Sequence, residues 1–192
     1  MEYGFSIAPN APAICGFCEP SAGFLLCGLS AAPLQGRTLH YLSESVMYHL
    51  DRLTGTDIHY AAIIMPDILQ SLASWLDELR QISQQPLFFS GVLCYIAGNQ
   101  FLTLPFGGAE VYHRITDELH HLGNPRPKYI RDALGCHGAC WASTEPAICS
   151  GSLYFLSRSM ADVTLPVDLS PNAASAILRK KSAAAAAMEI RF

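Results

Sequence analysis

Two amphipathic segments follow each other in the first half of the chain, and most other apolar runs are too short to form helices. In residues 38–53, apolar side chains recur at spacings of three and four, with polar side chains on the opposite face. A second segment opens at Pro66, a residue favoured in the first turn of a helix, and carries a similar apolar stripe to Ile82. The spacing predicts two helices, each with one buried side.

Short runs rich in aromatic or β-branched residues surround these helices and predict strands. They are residues 23–27, 87–96, 100–105, 109–115 and 152–157. The pair Gly98-Asn99 between two of the runs is a hairpin signal. Hairpins around two long helices predict an α+β fold, with antiparallel sheet packed against helices, in a single domain over residues 1–192. The alanines of residues 183–187 favour helix by propensity alone.

The composition limits the classes of protein to which the chain can belong. Apolar residues make up 51% of it and charged residues 15%, and the net charge is −4. These values exclude a disordered tail and give no positive field for nucleic acid. The start has no basic stretch of the kind that opens a secretory signal, and the nearly apolar residues 86–98 are too few to cross a bilayer. With an odd number of cysteines, 7, we expect a cytoplasmic protein with reduced thiols that contacts no membrane.

Several short motifs follow one another along the chain. Residues 18–20 match an N-E-D segment, and residues 24–32 match a strand ending in D-G-x-G-G. Residues 97–110 match a hairpin of the form A-G-N to G-D-S-R, and residues 133–135 match an A-L-G element. Residues 151–162 match a strand that ends in S-D-G-L. In this order the motifs resemble those of the metal-dependent Ser/Thr protein phosphatases of type 2C (the PPM family).

The closing D-N motif of the family is matched by Ser182-Ala183, before a final apolar strand over residues 188–192. The resemblance covers nearly the whole chain. It implies two antiparallel β-sheets packed as a sandwich, with helices on the outer faces.

The departures from these motifs bear on activity. The family uses carboxylates to hold two divalent cations that activate water. Here Glu19 is kept, Pro20 replaces the neighbouring Asp, and Gly28 or Ser30 stands at the D-G-x-G-G aspartate. Arg158 stands at the S-D-G-L aspartate, where its charge would repel cations. The resemblance therefore implies a catalytically inactive relative without a metal or other cofactor, which acts by protein-protein contact.

We expect the altered pocket to serve as a docking site. It is predicted to comprise Glu19, Ser30, Gly107, Gly108, Arg158 and Ser159. A kinase, a phosphoprotein or an assembly factor would be a suitable partner. The high apolar content favours an extensive interface, in a homo- or hetero-oligomer.

Two alternatives remain open from the sequence. Cys15-x-x-Cys18 and Cys136-His137-x-x-Cys140 supply soft ligands at spacings seen in zinc sites, which predicts a zinc- or thiol-dependent enzyme or a redox sensor. The other alternative is a structural subunit with a phosphatase-like fold and no ligand pocket.

Overall fold

A computed structural model describes residues 1–7, 13–18, 21–28, 34–85, 87, 89–107, 109–116, 118–122, 146–157 and 186–192. These residues form ten strands and two helices. The strands are β1 (Glu2–Ile7), β2 (Ala13–Cys18), β3 (Ala22–Gly28), β4 (Phe89–Ala97), β5 (Gln100–Phe106), β6 (Glu110–Ile115), β7 (Glu118–His121), β8 (Ala147–Ile148), β9 (Ser152–Leu156) and β10 (Ala186–Arg191). The helices are α1 (Gln35–Asp51) and α2 (Ile58–Ser83).

The strands form two antiparallel five-stranded sheets. Sheet 1 has the order β2-β3-β4-β5-β8, and sheet 2 has the order β1-β10-β9-β6-β7. In sheet 1, β2 to β5 are paired in chain order and β8 is added beside β5, whereas sheet 2 pairs β1 with β10 from the far part of the sequence. The fold is therefore an α+β sandwich, as the sequence predicts.

Alternate side chains of the central strands pack into two different cores. On β3, Phe24 and Leu26 pack against the helices, while Leu25 faces sheet 2. On β4, Leu93 and Tyr95 likewise face the helices. Because side chains of a strand alternate between the two faces, a strand buried on both faces reads as a continuous apolar run. This explains why β3 is buried at every position.

Both helices are confirmed, but α2 begins two turns before the predicted start. The expectation that Pro66 lies in the first turn is wrong, since it lies inside α2. The helix begins instead after Asp57, whose carboxylate accepts hydrogen bonds from the backbone N–H groups of His59 and Tyr60. A capping aspartate thus fixes the start. The helix continues past Pro66 because buried apolar side chains occur along one face of α2 on both sides of it, from Ile58 to Leu76.

The five predicted strands are confirmed, and so is the hairpin at Gly98-Asn99, where Gly98 has φ +60°. The alanine-rich end of the chain is strand from Ala186, because β10 is paired on both sides, to β1 and to β9. Pairing here overrides the helical propensity of alanine. Residues 183–185 of the alanine run lie outside the described residues.

Both described helices pack on the outer face of sheet 1. The prediction placed helices on both outer faces, and no described helix lies against sheet 2. Within the described ranges, neither helix is long and apolar enough to span a membrane.

Candidate functional site

The two sheets present two different ends, which we call the hairpin end and the motif end. The hairpin end carries the β2–β3 turn, the β4–β5 turn and the α1–α2 loop. The motif end carries the opposite strand ends, at Ile7, Ala13, Gly28, Phe89, Gly107, Glu110, Ser157 and Ala186. Three of the motifs quoted from the sequence end here, so this is the candidate site.

Gly107 follows the last residue of β5 and is one of the six predicted pocket residues. Its φ is +63°, which side-chain-bearing residues rarely adopt. A Cβ atom here would lie 2.3 Å from the carbonyl oxygen of Phe89 and 2.6 Å from Cα of Ser90. The glycine therefore lets the end of β5 lie directly on the start of β4.

A buried pair of hydroxyl groups joins the two sheets at the motif end. The hydroxyl of Ser90 on β4 donates a hydrogen bond of 2.7 Å to the carbonyl oxygen of Ser157. The hydroxyl of Ser157 accepts a bond of 3.0 Å from the backbone N–H of Ala186 at the start of β10. Both serines are fully buried. Ser90 was not among the predicted pocket residues, although it is a polar residue at the start of a buried apolar run.

The register of β2 places Cys18, the described residue before Glu19, away from this end. Cys18 pairs with Ala22 at the first residue of β3, whereas Gly28 is the last residue of that strand. At about 3.3 Å per residue, the two ends of β3 are roughly 20 Å apart. Ser21 also belongs to the hairpin end, since its carbonyl oxygen accepts the backbone N–H of Ile96. The described neighbours of Glu19 thus lie at the opposite end from Gly107.

Gly107 is therefore the one predicted pocket residue that the structure describes. The others, Glu19, Ser30, Gly108, Arg158 and Ser159, lie outside the described residues. Arg158 follows Ser157 directly in the chain, and residues 29–33 follow Gly28. Their membership of the pocket stays a prediction.

The donor set of the motif end tests the two-metal centre that the resemblance implies. Of these described residues, Glu110 carries the one carboxylate, and the others are apolar, glycine or serine residues. Glu110 accepts a hydrogen bond of 2.7 Å from the hydroxyl of Tyr112. Over the described ranges, no group of three or more His, Cys, Asp or Glu could hold a metal ion. The described part of this end does not fit a two-metal centre.

The described thiol of the cysteine alternative, that of Cys15, packs against apolar side chains, and so does the thiol of Cys149, which is not part of that alternative. Burial raises the pKa of Cys15 to about 12, with a smaller effect from Cys27. Burial also raises the pKa of Cys149 to about 11. Thiols with such pKa values stay protonated at neutral pH, whereas the thiolate is the nucleophile and the metal ligand. Cys136, Cys140 and the side chain of Cys18 lie outside the described residues.

The hairpin end holds a buried histidine. His113 Nε2 lies 2.7 Å from the carbonyl oxygen of Ser150, and its ring meets that of Phe101 edge-on at 5.0 Å. Burial lowers the pKa of His113, and the nearby His120 lowers it further, against the raising effect of the Ser150 carbonyl. The neutral ring therefore occupies a structural position between the sheets.

The fold is similar to that of bacterial PPM-type Ser/Thr phosphatases. No protein-family model matches the chain, and no curated protein matches it. A bacterial serine phosphatase superposes with a TM-score of 0.75 at 8% identity, over 98% of this chain and 96% of that one. The serine/threonine phosphatase PstP/Ppp of Mycobacterium tuberculosis superposes with a TM-score of 0.71 at 12% identity, over 98% of this chain and 96% of that one.

A third similar structure is PppA, a key regulatory component of T6SS in Pseudomonas aeruginosa. It gives a TM-score of 0.73 at 11% identity, over 99% of this chain and 96% of that one. At such identities the likeness establishes the fold, and function is argued from the site. The resemblance read from the motifs is confirmed at the level of the phosphatase-like fold.

Proposed function

We propose that the protein is a catalytically inactive, phosphatase-like protein that acts by contact with another protein. One observation carries the proposal: the strand ends at the motif end are joined by segments poor in metal ligands. Residues 8–12, between β1 and β2, and residues 29–33, after β3, contain no Asp, Glu or His. Among the described strand ends, Glu110 at the start of β6 adds one carboxylate, which accepts a hydrogen bond from the hydroxyl of Tyr112.

The chemistry of the fold relatives explains why this composition matters. Mg²⁺ and Mn²⁺ take oxygen ligands, chiefly carboxylates, and a pair of such ions needs several of them within a few ångströms. At this end, Arg158 comes directly after Ser157 and would add a positive charge. Two cations and a guanidinium in one pocket repel each other. The residues thus support a pocket that binds without hydrolysing.

The surface of the helices supports a protein partner. Tyr41 and Tyr48 on α1 are 61% and 60% exposed, and Tyr60 and Ile63 on α2 are 56% and 68% exposed. Large apolar side chains grouped on a surface are typical of protein contacts. PppA adds a regulatory component with the same fold. A kinase, a phosphoprotein or an assembly factor is the class of partner that we propose, with no role for nucleic acid.

Two assays test the absence of catalysis. Calorimetry with Mn²⁺ should show no binding at or below millimolar concentration, and a phosphoserine peptide should not be hydrolysed. A bacterial phosphatase of the same fold serves as the positive control. Asp162 and Asp168, in residues 158–185, are the acids to remove in a matched variant. Turnover that disappears in Asp162→Asn/Asp168→Asn would contradict the proposal and assign the metal site to that segment.

A further inference from the structure

Strand β1 leaves one edge of sheet 2 open. Within the described ranges it pairs on one side only, with β10. Tyr3 and Phe5 are 46% and 56% exposed, although both lie on the same face of the strand. An open edge offers unpaired backbone N–H and C=O groups, which pair readily with another extended strand.

The other described edges are less suited to such pairing. β7 has four residues, all exposed, and includes Glu118 and His120, which lie 3.5 Å apart. β8 has two residues. Side chains of β2 from Ala13 to Phe17 are half-buried. Short or charged edges discourage pairing, whereas β1 has six residues, no Lys and no Pro.

The face that carries the two aromatic side chains is turned toward sheet 1. Tyr3 lies opposite Ile190 and Phe5 opposite Met188, and both of these partners belong to the core between the sheets. The ring of Tyr3 also stacks on that of Phe17 of β2, with centroids 4.7 Å apart. The open edge is thus held in a fixed position by the body of the protein.

We propose that two copies of the chain associate through β1, which pairs antiparallel with β1 of the second copy. A two-fold axis perpendicular to the sheet relates two such strands, so that side chains of the same face lie opposite each other. The register centred on Gly4 meets this requirement. It places Tyr3 of each copy opposite Phe5 of the other, giving two aromatic cross-strand pairs.

Charge and shape favour a second copy in this register. Gly4 on the axis has no side chain, so the strands can approach closely at the centre. The two Glu2 residues are four positions apart along the paired strands, which is about 13 Å and exceeds the Debye length of about 8 Å at physiological salt. Glu2 also lies opposite Arg191 in its own chain. A six-residue strand pair is a small interface, so the dimer should dissociate on dilution.

Sedimentation velocity over about 1–100 μM, the range in which small interfaces dissociate, tests the proposal. The wild-type chain of 20.9 kDa should approach twice that mass at the upper end. Phe5→Lys should remain monomeric throughout. Ile82→Lys is the matched control, since Ile82 is 82% exposed on α2 and should leave the dimer intact. Circular dichroism separates loss of folding from loss of association. If Phe5→Lys does not fold, Phe5→Ser takes its place in the experiment.

A crosslinking experiment tests the register. Tyr3→Cys protein mixed with Phe5→Cys protein should give, under mild oxidation, a disulfide between positions 3 and 5 of two copies, identified by mass spectrometry. The wild-type chain under the same oxidant gives the background from its own cysteines. A wild-type monomer at every concentration, a Phe5→Lys dimer, or loss of the dimer in Ile82→Lys would overturn the proposal. A dimer whose crosslinks join other positions would overturn the register.

Discussion

The two ends of the sandwich are held together in different ways. At the hairpin end, buried polar side chains tie loops to strands: the hydroxyl of Tyr95 lies within hydrogen-bond distance of the carbonyl oxygens of Leu53 and Thr56. The hydroxyl groups of Ser21 and Thr54 are 3.2 Å apart. At the motif end, the strands are held by the close approach of backbone at Gly107 and by the hydrogen bond that the Ser90 hydroxyl donates.

The difference separates two kinds of support within one fold. The hairpin end depends on particular side chains that reach across the structure. The motif end depends on a glycine and two serines, whose contacts join described residues. Under the proposed function, a change of pocket residues outside these contacts would leave this framework in place.

The largest effect that we expect is at Gly107. Gly107→Ala should destabilise the fold by about 3 kcal/mol or more, because the strain of a positive φ adds to a clash with the Phe89 carbonyl. Gly98→Ala is the matched control: its φ is +60°, but an added Cβ meets nothing within 4 Å. Gly98→Ala should lower the free energy of unfolding by only about 1 kcal/mol. Urea unfolding measures both, and equal losses would show that contact at Gly107 does not matter.

Removal of the Tyr95 hydroxyl should have the next largest effect. Tyr95→Phe leaves the carbonyl groups of Leu53 and Thr56 without this donor and should lower the free energy of unfolding by about 1–2 kcal/mol. Tyr60→Phe, at an exposed position on α2, should change it little. Hydrogen exchange should also show faster opening of the α1–α2 loop in Tyr95→Phe alone. Unchanged exchange would mean that the loop is held by packing.

At the motif end, Ser90→Ala should cost about 1 kcal/mol, because the carbonyl oxygen of Ser157 loses its side-chain donor. Ser74→Ala is the control, since the Ser74 hydroxyl bonds to the carbonyl oxygen of Gln70 on the exposed surface of α2. Thermal unfolding of the two variants gives the comparison. If Ser74→Ala cost as much, the inter-sheet bond would have no special importance.

The smallest expected effect depends on pH. The folded-state pKa of His113 is below its unfolded value of about 6.5, so the unfolded chain binds the proton more tightly. Its contribution to stability is complete above about pH 6.5 and is lost as the pH falls toward the folded-state pKa. His113→Gln should flatten the fall in unfolding free energy over that range. His59→Gln, on the exposed face of α2, should not; an identical slope in both variants would contradict this assignment.

The sequence predicted most of the fold because its periodic patterns survive in the structure. The periodicity of residues 38–53 predicted α1, and the central apolar runs predicted strands of sheet 1. Gly98-Asn99 predicted a hairpin. Hydrophobic periodicity does not show the start of α2, which the cap at Asp57 sets. It also does not show the conformation of residues 186–191, which pairing with β1 and β9 decides. β1 and β2 were missed, since six-residue edge strands with Gly in their middle give a weak pattern.

The candidate site was less accessible from the sequence, because motif matching does not give strand register. Matching residues 18–20 to the N-E-D segment predicts that Glu19 lies near Gly107. The described neighbour Cys18 pairs with Ala22, at the other end of β3 from Gly28. Ser90 was not predicted because it belongs to no motif.

The pairing of β1 with β10 also affects how the chain folds. In sheet 1, β2 to β5 follow one another in the chain, so most of the sheet can form early in synthesis, whereas β1 must wait for β10, which is made much later. Until then both of its edges are unpaired and its aromatic side chains have no core to join. Partly synthesised chains are thus most prone to aggregate through β1. A chaperone bound to β1 would shorten the time for which the strand is exposed.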